Sequence, residues 1–546
     1  MSGCFKQSII YEEIRCEVDF LVKQEKIWVF DSTLRDGAQA RGITFSMADR
    51  INMMNLLDDI GVDYIEAGNP ASNPKERAFF EKVKASDLKN AKLTAFGSTR
   101  RKNVTPDKDP GVLATLAANT PVVAIFGKTW DLHVTHVLRA ELEQNLEMVY
   151  DSVKFFKSEG LEVVFDAEHF FDGYKNNDDY AMKVLQAAVD GGADSLALCE
   201  TNGGAMPMLV SEATKRVCDT FDVMIGIHCH NDGEMAVANS LLAVEAGARQ
   251  IQGTFLGFGE RCGNACLTSL IANLQLKMGF DCISEKSMSQ LHSTAHEAAE
   301  IANITLDEKM PFVGRDAFAH KGGMHIDGVN KVPESFEHVN PELVGNKRAF
   351  LLSEVAGQTA IVMKLSQQFP ELQKGATQTK ELIEKLKALE AVGYHFEGAE
   401  SSFELLVKKH LGKFTPFFYI EHFKIIDEPA LGKQEGLKAY AIVKVNVKGE
   451  DYVTAAEGNG PVNALDKALR SALINFFPQL SEVHLVDYRV RVLDTNQETD
   501  ATVRVMIEST DGEDSWTTLG VSSDVIEASL QALIDSIEYK LMIDDK

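Results

Sequence analysis

The chain has 546 residues, too many for one simple core, so roughly two to four domains are expected. With 45% hydrophobic and 25% charged residues it has a globular composition, which excludes a fibre or wholesale disorder. Its 81 acidic against 55 basic residues give a formal charge of -26, which argues against nonspecific nucleic-acid binding and docking to anionic membrane.

An anionic substrate remains compatible with that charge if specific arginines, a metal ion or helix N-termini receive it. Eight cysteines are scattered without a tight CxxC pair, and CGNAC (262–266) is not a standard zinc spacing, so reduced thiols are expected. No apolar run is long enough to span a membrane. The opening MSGCFKQSII, followed by YEEIRCE, fits neither a signal peptide nor an Arg-rich transit peptide, so a cytoplasmic protein is expected.

From 26 to about 277, short β-rich runs alternate with helical patterns. The strands are expected at KIWVFD (26–31), VDYIEAG (62–68), AKLTAFG (91–97) and PVVAIFG (121–127). LEVVFDAEHF (161–170), DSLALCE (194–200), VMIGIHCH (223–230) and ARQIQGTF (248–255) complete the set. Between them, SMADRINMMNLLDDIG reads as a helix starting at Met47 with Ser46 as N-cap. HVLRAELEQNLEMVYDSVKFFKSEG reads as one long helix closed by Gly160. Eight such units predict an α/β fold, a (β/α)8 TIM barrel, with a doubly wound open sheet as the alternative. The barrel demands that polar residues at many strand ends converge on one mouth. Arg35-Asp36, Glu66, Glu168-His169, Glu200-Thr201-Asn202 and His228 to Asp232 stand at such ends.

Residues 285 to 328 read as helical and then glycine-rich, ending AFAHKGGMHIDG; 340 to 405 are again helical and include ELIEKLKALEAVG, with a polar connection at 365–380. The last 130 or so residues change character. YIEHFKIIDE, LKAYAIVKVNVKG and DYVTAAEG precede the helix VNALDKALRSALINFF, and VHLVDYRVRVLD, TDATVRVMIES and DSWTTLG precede SDVIEASLQALIDSIEYKL. This is a βββα module written twice. The division is therefore a barrel at 1–285, helical subdomains and linker at 286–410, and a duplicated regulatory or dimerisation domain at 411–546.

IHCHNDGEMAVAN carries the strongest local signal. His228 and His230 lie two apart at a strand end, so both point the same way and can clamp one divalent metal, although an isolated HxH is more often an ordinary polar strand end. Asp36 at the first strand's end, and Asn264 in the glycine-rich TFLGFGERCGNACL, would complete two nitrogens and two oxygens. That donor set suits Mn²⁺, Mg²⁺, Co²⁺ or Zn²⁺ without choosing among them. Arg35 would pair with a carboxylate or with the polarised oxygen, which favours a 2-oxo acid and carbon–carbon bond chemistry beside its carbonyl. Such chemistry needs a base; Glu168 and His325 are candidates, and a capping role for His325 in its glycine-rich loop is as good a reading. Arg100 and Arg101 in FGSTRRKN could receive a distal carboxylate, CoA phosphates or solvent, and Asp31 has no assigned role.

DSTLRDGAQ, IHCHNDGEMAVANSLLAVEAGA and QGTFLGFGERCGNACL closely resemble the signatures of the 2-isopropylmalate, homocitrate and citramalate synthase family. VVFDAEHFFDGY, CETNGG and FAHKGGMHIDG look most like its citramalate-forming branch in the long form. The resemblance implies metal ligands at Asp36, His228, His230 and Asn264, and an oxygen-stabilising arginine at Arg35. It implies a catalytic acid at Glu168, a carboxylate-holding threonine at Thr201, and a catalytic histidine at His325 with Asp327. It further implies acetyl-CoA and pyruvate as substrates, a homodimer or higher homo-oligomer, and feedback by isoleucine. EGNGPVNAL resembles the family's regulatory turn and puts Gly458, Asn459, Gly460 and Pro461 there. Two departures stand out: Ala38 where relatives usually have an acid, and Glu200 where they usually have Asp. An open alternative is a catalytically silent barrel whose C-terminal module senses an amino acid.

Overall fold

The computed structural model describes residues 25–83, 88–350, 369, 372, 376–396, 398–428, 438–493, 501–512 and 514–545. The chain divides into two compact units, Met1–Ala319 with Glu337–Arg348, and His320–Phe336 with Ala349–Lys546.

The first unit is built on eight parallel strands: β1 (Trp28–Asp31), β2 (Tyr64–Glu66), β3 (Lys92–Ser98), β4 (Val122–Lys128), β5 (Glu162–Glu168), β6 (Ser195–Glu200), β7 (Met224–Cys229) and β8 (Gln250–Gly253). They close in sequence order, β8 returning to β1, as the TIM barrel requires and the open sheet does not. Phe30, Tyr64, Val122, Ala124, Val164 and Ala197 fill the barrel interior as their own cluster. Side chains alternate along a strand, so every second residue beyond these also faces inward. That parity carries Tyr64 to Glu66, Ala124 to Phe126 and Lys128, and Val164 to Asp166 and Glu168. Gly226 leads by the same rule to His228 and then His230, and Gln250 leads to Gln252. Residues of opposite parity, such as Val29, Ile65, Val123 and Phe165, pack outward against the helices.

Local chemistry sets the helices. Ser46 and Asp49 form a reciprocal capping box at the start of helix Met47–Ile60, which ends on the left-handed Gly61. The expected single helix over 136–160 is two pieces. A π turn, His133–Leu138, ends at Arg139 in the left-handed region, and helix Leu142–Ser158 starts afresh. Lys102 Nζ donates to the freed Arg139 carbonyl at 2.9 Å, and buried Ala140 turns into the core, which its place in a continuous helix would not allow.

In the second unit, the strands Tyr419–Glu428, Lys438–Val447 and Glu450–Gly458 form an antiparallel sheet followed by helix Pro461–Leu473. His484–Val492, Val503–Thr510 and Ser515–Ser522 repeat the pattern before helix Val525–Asp544. Alternation supplies the buried faces: Ala439, Ala441, Val443, Val445 and Val447 meet Ala464, Leu465, Ala468 and Leu469 of the first helix. Helices Thr377–Ala391 and Glu400–His410 form a second apolar cluster with Leu519 and Val521. Most of the polar connection expected at 365–380 lies outside the described residues, as do Cys4 and Cys16. The six described cysteines are free thiols.

Candidate metal-dependent active site

Asp36, His228 and His230 come together at the C-terminal mouth of the barrel, each nearly buried. Asp36 Oδ2 lies 3.3 Å from His228 Nε2 and 3.8 Å from His230 Nε2. Strand parity delivers the histidines; a turn over 32–36 delivers the acid, its N–H donating to Ser32 Oγ at 3.3 Å. Asn264 bridges to His230 through the backbone. Its Nδ2 donates to the Phe258 carbonyl at 3.0 Å, while its Oδ1 is buried without a hydrogen-bond partner. A buried amide oxygen with no donor costs free energy unless something positive meets it. With a carboxylate and two imidazoles beside it, this donor set fits a divalent cation. Gly253 permits the approach, because any Cβ there would strike the Ala265 carbonyl and push away the loop that carries Asn264.

The electrostatics favour the ligating forms of Asp36 and His230. Burial alone would raise Asp36, but Arg35, His228 and His230 outweigh it and hold the carboxyl well below its ordinary range. Burial, reinforced by the charge of His228, pushes His230 down to about 4, so its imidazole is neutral near pH 7 and keeps a lone pair for a metal. For His228 burial is opposed by its hydrogen bond and charge interaction with Asp36, which leave its pKa raised.

Arg35 is clamped by acids: Nε donates to Glu66 Oε2 at 2.6 Å, and Nη1 lies 3.2 Å from Asp36 Oδ2. Its guanidinium lies 3.9 Å over the ring of Phe96, which stacks on Phe126 with centroids 5.4 Å apart. Glu66 is fully buried and also accepts from Ser32 Oγ. Glu168 pairs with Lys128 across β4 and β5. Thr201 Oγ1 accepts from the His169 N–H at 2.9 Å, and Arg261 Nη2 donates to the Thr201 carbonyl at 2.8 Å. Glu200 Oε1 accepts from Gly204 and Ala205 N–H at 3.0 and 3.2 Å, so its extra methylene is used to hold the following turn.

The remaining sequence candidates have partners of their own. Arg100 is buried and bonded to Asp151 at 2.9 Å, and Arg101 to Asp109 at 3.2 Å, so both already have carboxylate partners. Asp31 has the outward parity; it accepts from Thr33 N–H and Oγ1, and Thr33 Oγ1 accepts from Phe255 N–H at 2.9 Å. It thus ties the first loop to the one leading to Asn264. His325 and Asp327 belong to the second unit, on helix Gly323–Lys331; His325 is exposed and stacks on Phe336 with centroids 4.3 Å apart, and Asp327 pairs with Lys331. Gly458 ends strand Glu450–Gly458, where a Cβ would collide with the Ala464 backbone, and Pro461 opens the following helix. Sequence reasoning missed Ser32, Phe96, Phe126, Lys128, Asp166 and Gln252. Counting inward parity along each strand and one residue past its end would have found them all.

A closed barrel with a buried cluster of metal-ligating side chains at its C-terminal mouth is the layout of a TIM-barrel enzyme of metal-assisted chemistry. Residues 26–298 match the HMGL-like family, residues 312–393 the homocitrate synthase post-HMGL domain-like family, and residues 397–541 the LeuA allosteric (dimerisation) domain. The chain belongs to the HMGL-like family, among the synthases that carry a LeuA-type C-terminal domain. It is 52% identical to the (R)-citramalate synthase of Aquifex aeolicus, over 96% of this chain and 99% of that one. The (R)-citramalate synthases of Geobacter sulfurreducens and Synechocystis are 49% and 44% identical, over 94% and 95% of this chain and 97% of each relative.

Proposed function

We infer that the chain is a citramalate synthase: it condenses acetyl-CoA with pyruvate and hydrolyses the thioester, releasing (R)-citramalate and CoA. The observation that carries this reading is the buried Asp36–His228–His230 cluster beside Arg35, in a chain that matches citramalate synthases from end to end. Asp36, His228, His230 and Asn264 would hold a divalent metal, with Mn²⁺, Mg²⁺, Co²⁺ and Zn²⁺ all compatible. When bound there, the metal supplies Lewis acidity to the 2-oxo acid's carbonyl.

The chain's own groups do the rest. Glu66 and Asp36 hold Arg35 so that its guanidinium faces the oxygen that becomes negative as the new bond forms. Thr201 holds the substrate carboxylate, and Glu168 orders the keto acid and the thioester. Removal of the acetyl methyl proton is assigned to His325 with Asp327. Phe96 and Phe126 offer an aromatic wall beside Arg35, and Arg100, Arg101 and Lys128 each pair with a carboxylate. That aromatic wall suits a small apolar 2-oxo acid substituent, and among the described residues these three cations are already paired.

The proposal extends to a cytoplasmic homodimer, or higher homo-oligomer, in the isoleucine branch of branched-chain amino-acid biosynthesis. Residues 1–285 are catalytic, 286–410 are linking subdomains, and 411–546 sense isoleucine as feedback inhibitor at Gly458–Pro461. Among the described residues no helix is long and apolar enough to cross a membrane. A thiol-release assay with acetyl-CoA, divalent metal and a panel of 2-oxo acids tests the activity. Release with pyruvate is expected. Release only with 2-oxoisovalerate or 2-oxoglutarate would reassign the chain to 2-isopropylmalate or homocitrate synthesis, and none with any acceptor would favour the silent sensor.

A further inference from the structure

Gln252 stands directly beside His228 in the β7–β8 ladder, and both side chains are buried. Gln252 Oε1 lies 3.1 Å from His228 Nδ1. Its Nε2 faces two acceptors, Asp166 Oδ1 at 3.3 Å and Gln250 Oε1 at 3.2 Å. An amide nitrogen only donates, so the carboxylate end of this chain decides which way the amide points. The amide oxygen then faces His228, which requires the proton on Nδ1. Nε2 then lies on the side of Asp36, 3.3 Å away, where a cation would displace the proton it shares with that carboxylate. His230 is the internal contrast: its Nδ1 is buried and has no hydrogen-bond partner, so nothing behind the ring chooses its tautomer.

We propose that Gln252, held from behind by Asp166 and Gln250, is a positioning residue that fixes the tautomer and ring orientation of His228 for a divalent metal. This rests on reading Asp36, His228 and His230 as metal ligands. It makes the two histidines unequal: His228 is set before the metal arrives, whereas the metal itself sets His230. A hydrogen bond behind a ligating imidazole is worth about 10- to 100-fold in metal affinity, the size of effect expected here.

The test uses full-length, metal-free protein with ¹⁵N-labelled histidine, together with Mn²⁺ titration. In the wild type, long-range ¹⁵N spectra should show His228 protonated on Nδ1. Gln252→Leu, similar in size but without polar atoms, should lose that tautomer and bind Mn²⁺ about 10- to 100-fold more weakly, with unchanged circular dichroism. The paired change Gln252→Glu with Asp166→Asn keeps an acceptor toward His228 and a hydrogen bond behind it, and should return affinity to within about threefold of wild type. Three results would overturn the proposal: no proton on His228 Nδ1 in the wild type, undiminished Mn²⁺ affinity in Gln252→Leu, or a paired variant as weak as Gln252→Leu. A wild-type protein with the Nδ1 tautomer but no Mn²⁺ binding would instead overturn the metal reading beneath it, and the two failures are distinguishable.

Discussion

Arg35 illustrates how much a single residue depends on its neighbours. Its guanidinium is taken from water, faced by Phe96, and offset by Glu66 and Asp36, so it is both fixed in direction and charged. Lysine at this position would keep the charge but not the planar fork that bonds Glu66 through Nε and meets Asp36 through Nη1. Arg35→Lys should therefore lower kcat by about 10²- to 10³-fold, the usual cost of one donor to a developing oxyanion, while Mn²⁺ affinity changes far less. Parallel steady-state kinetics and metal titration separate the two; an unaltered kcat contradicts the role given to Arg35.

At the scale of elements, most of the site follows from strand parity, and that is why it was partly legible. The HxH at the end of β7 announced itself because both residues share one face and are chemically distinctive. Phe96, Phe126 and Gln252 share the same face logic but are residue types that any strand might carry, so only the closed barrel gives them a place. Asp31 was the reverse case: conspicuous in sequence, yet of the parity that faces away from the mouth. The break at Arg139 was illegible because the helical pattern runs on across it, and the Lys102 that meets its freed carbonyl is distant in sequence. The two βββα copies were readable from alternation alone, but not the buried Glu538 on the last helix, which accepts from the Phe417 N–H at 3.2 and 3.3 Å. Burial, only partly offset by that backbone N–H, raises its pKa from 4.5 to about 7. A raised carboxyl pKa means that the folded state holds the proton more tightly. Stability is then greatest below pH 4.5 and falls as pH rises through about 7. Glu538→Gln keeps an acceptor for Phe417 and removes the charge, so at pH 8 it should stabilise the second unit by about 3 kcal/mol, with little gain at pH 4. Urea unfolding at both pH values measures this; an equal change at each would show that burial of the charge is not the cause.

On the scale of the whole molecule, the apolar clusters of the described residues each belong to one unit: two lie in the barrel unit and two others in the C-terminal unit. Ligand binding stabilises only what it binds. Calorimetry of the full chain should show Mn²⁺ at about 100 times its Kd stabilising the barrel's transition by about 2.7 kcal/mol, leaving the transition of the C-terminal unit in place. An equal shift of both transitions would place the binding outside the barrel mouth.

Under the proposed function, condensation depends on a metal held by Asp36, His228, His230 and Asn264. The most direct test depletes the full-length protein of metal and then titrates Mn²⁺ into wild type and Asp36→Ala, with thiol release from acetyl-CoA and pyruvate as readout. The wild type should be inactive until metal is returned, and Asp36→Ala should remain inactive at metal concentrations that saturate the wild type. Full turnover by the metal-free wild type, or a wild-type response to Mn²⁺ from Asp36→Ala, would contradict it.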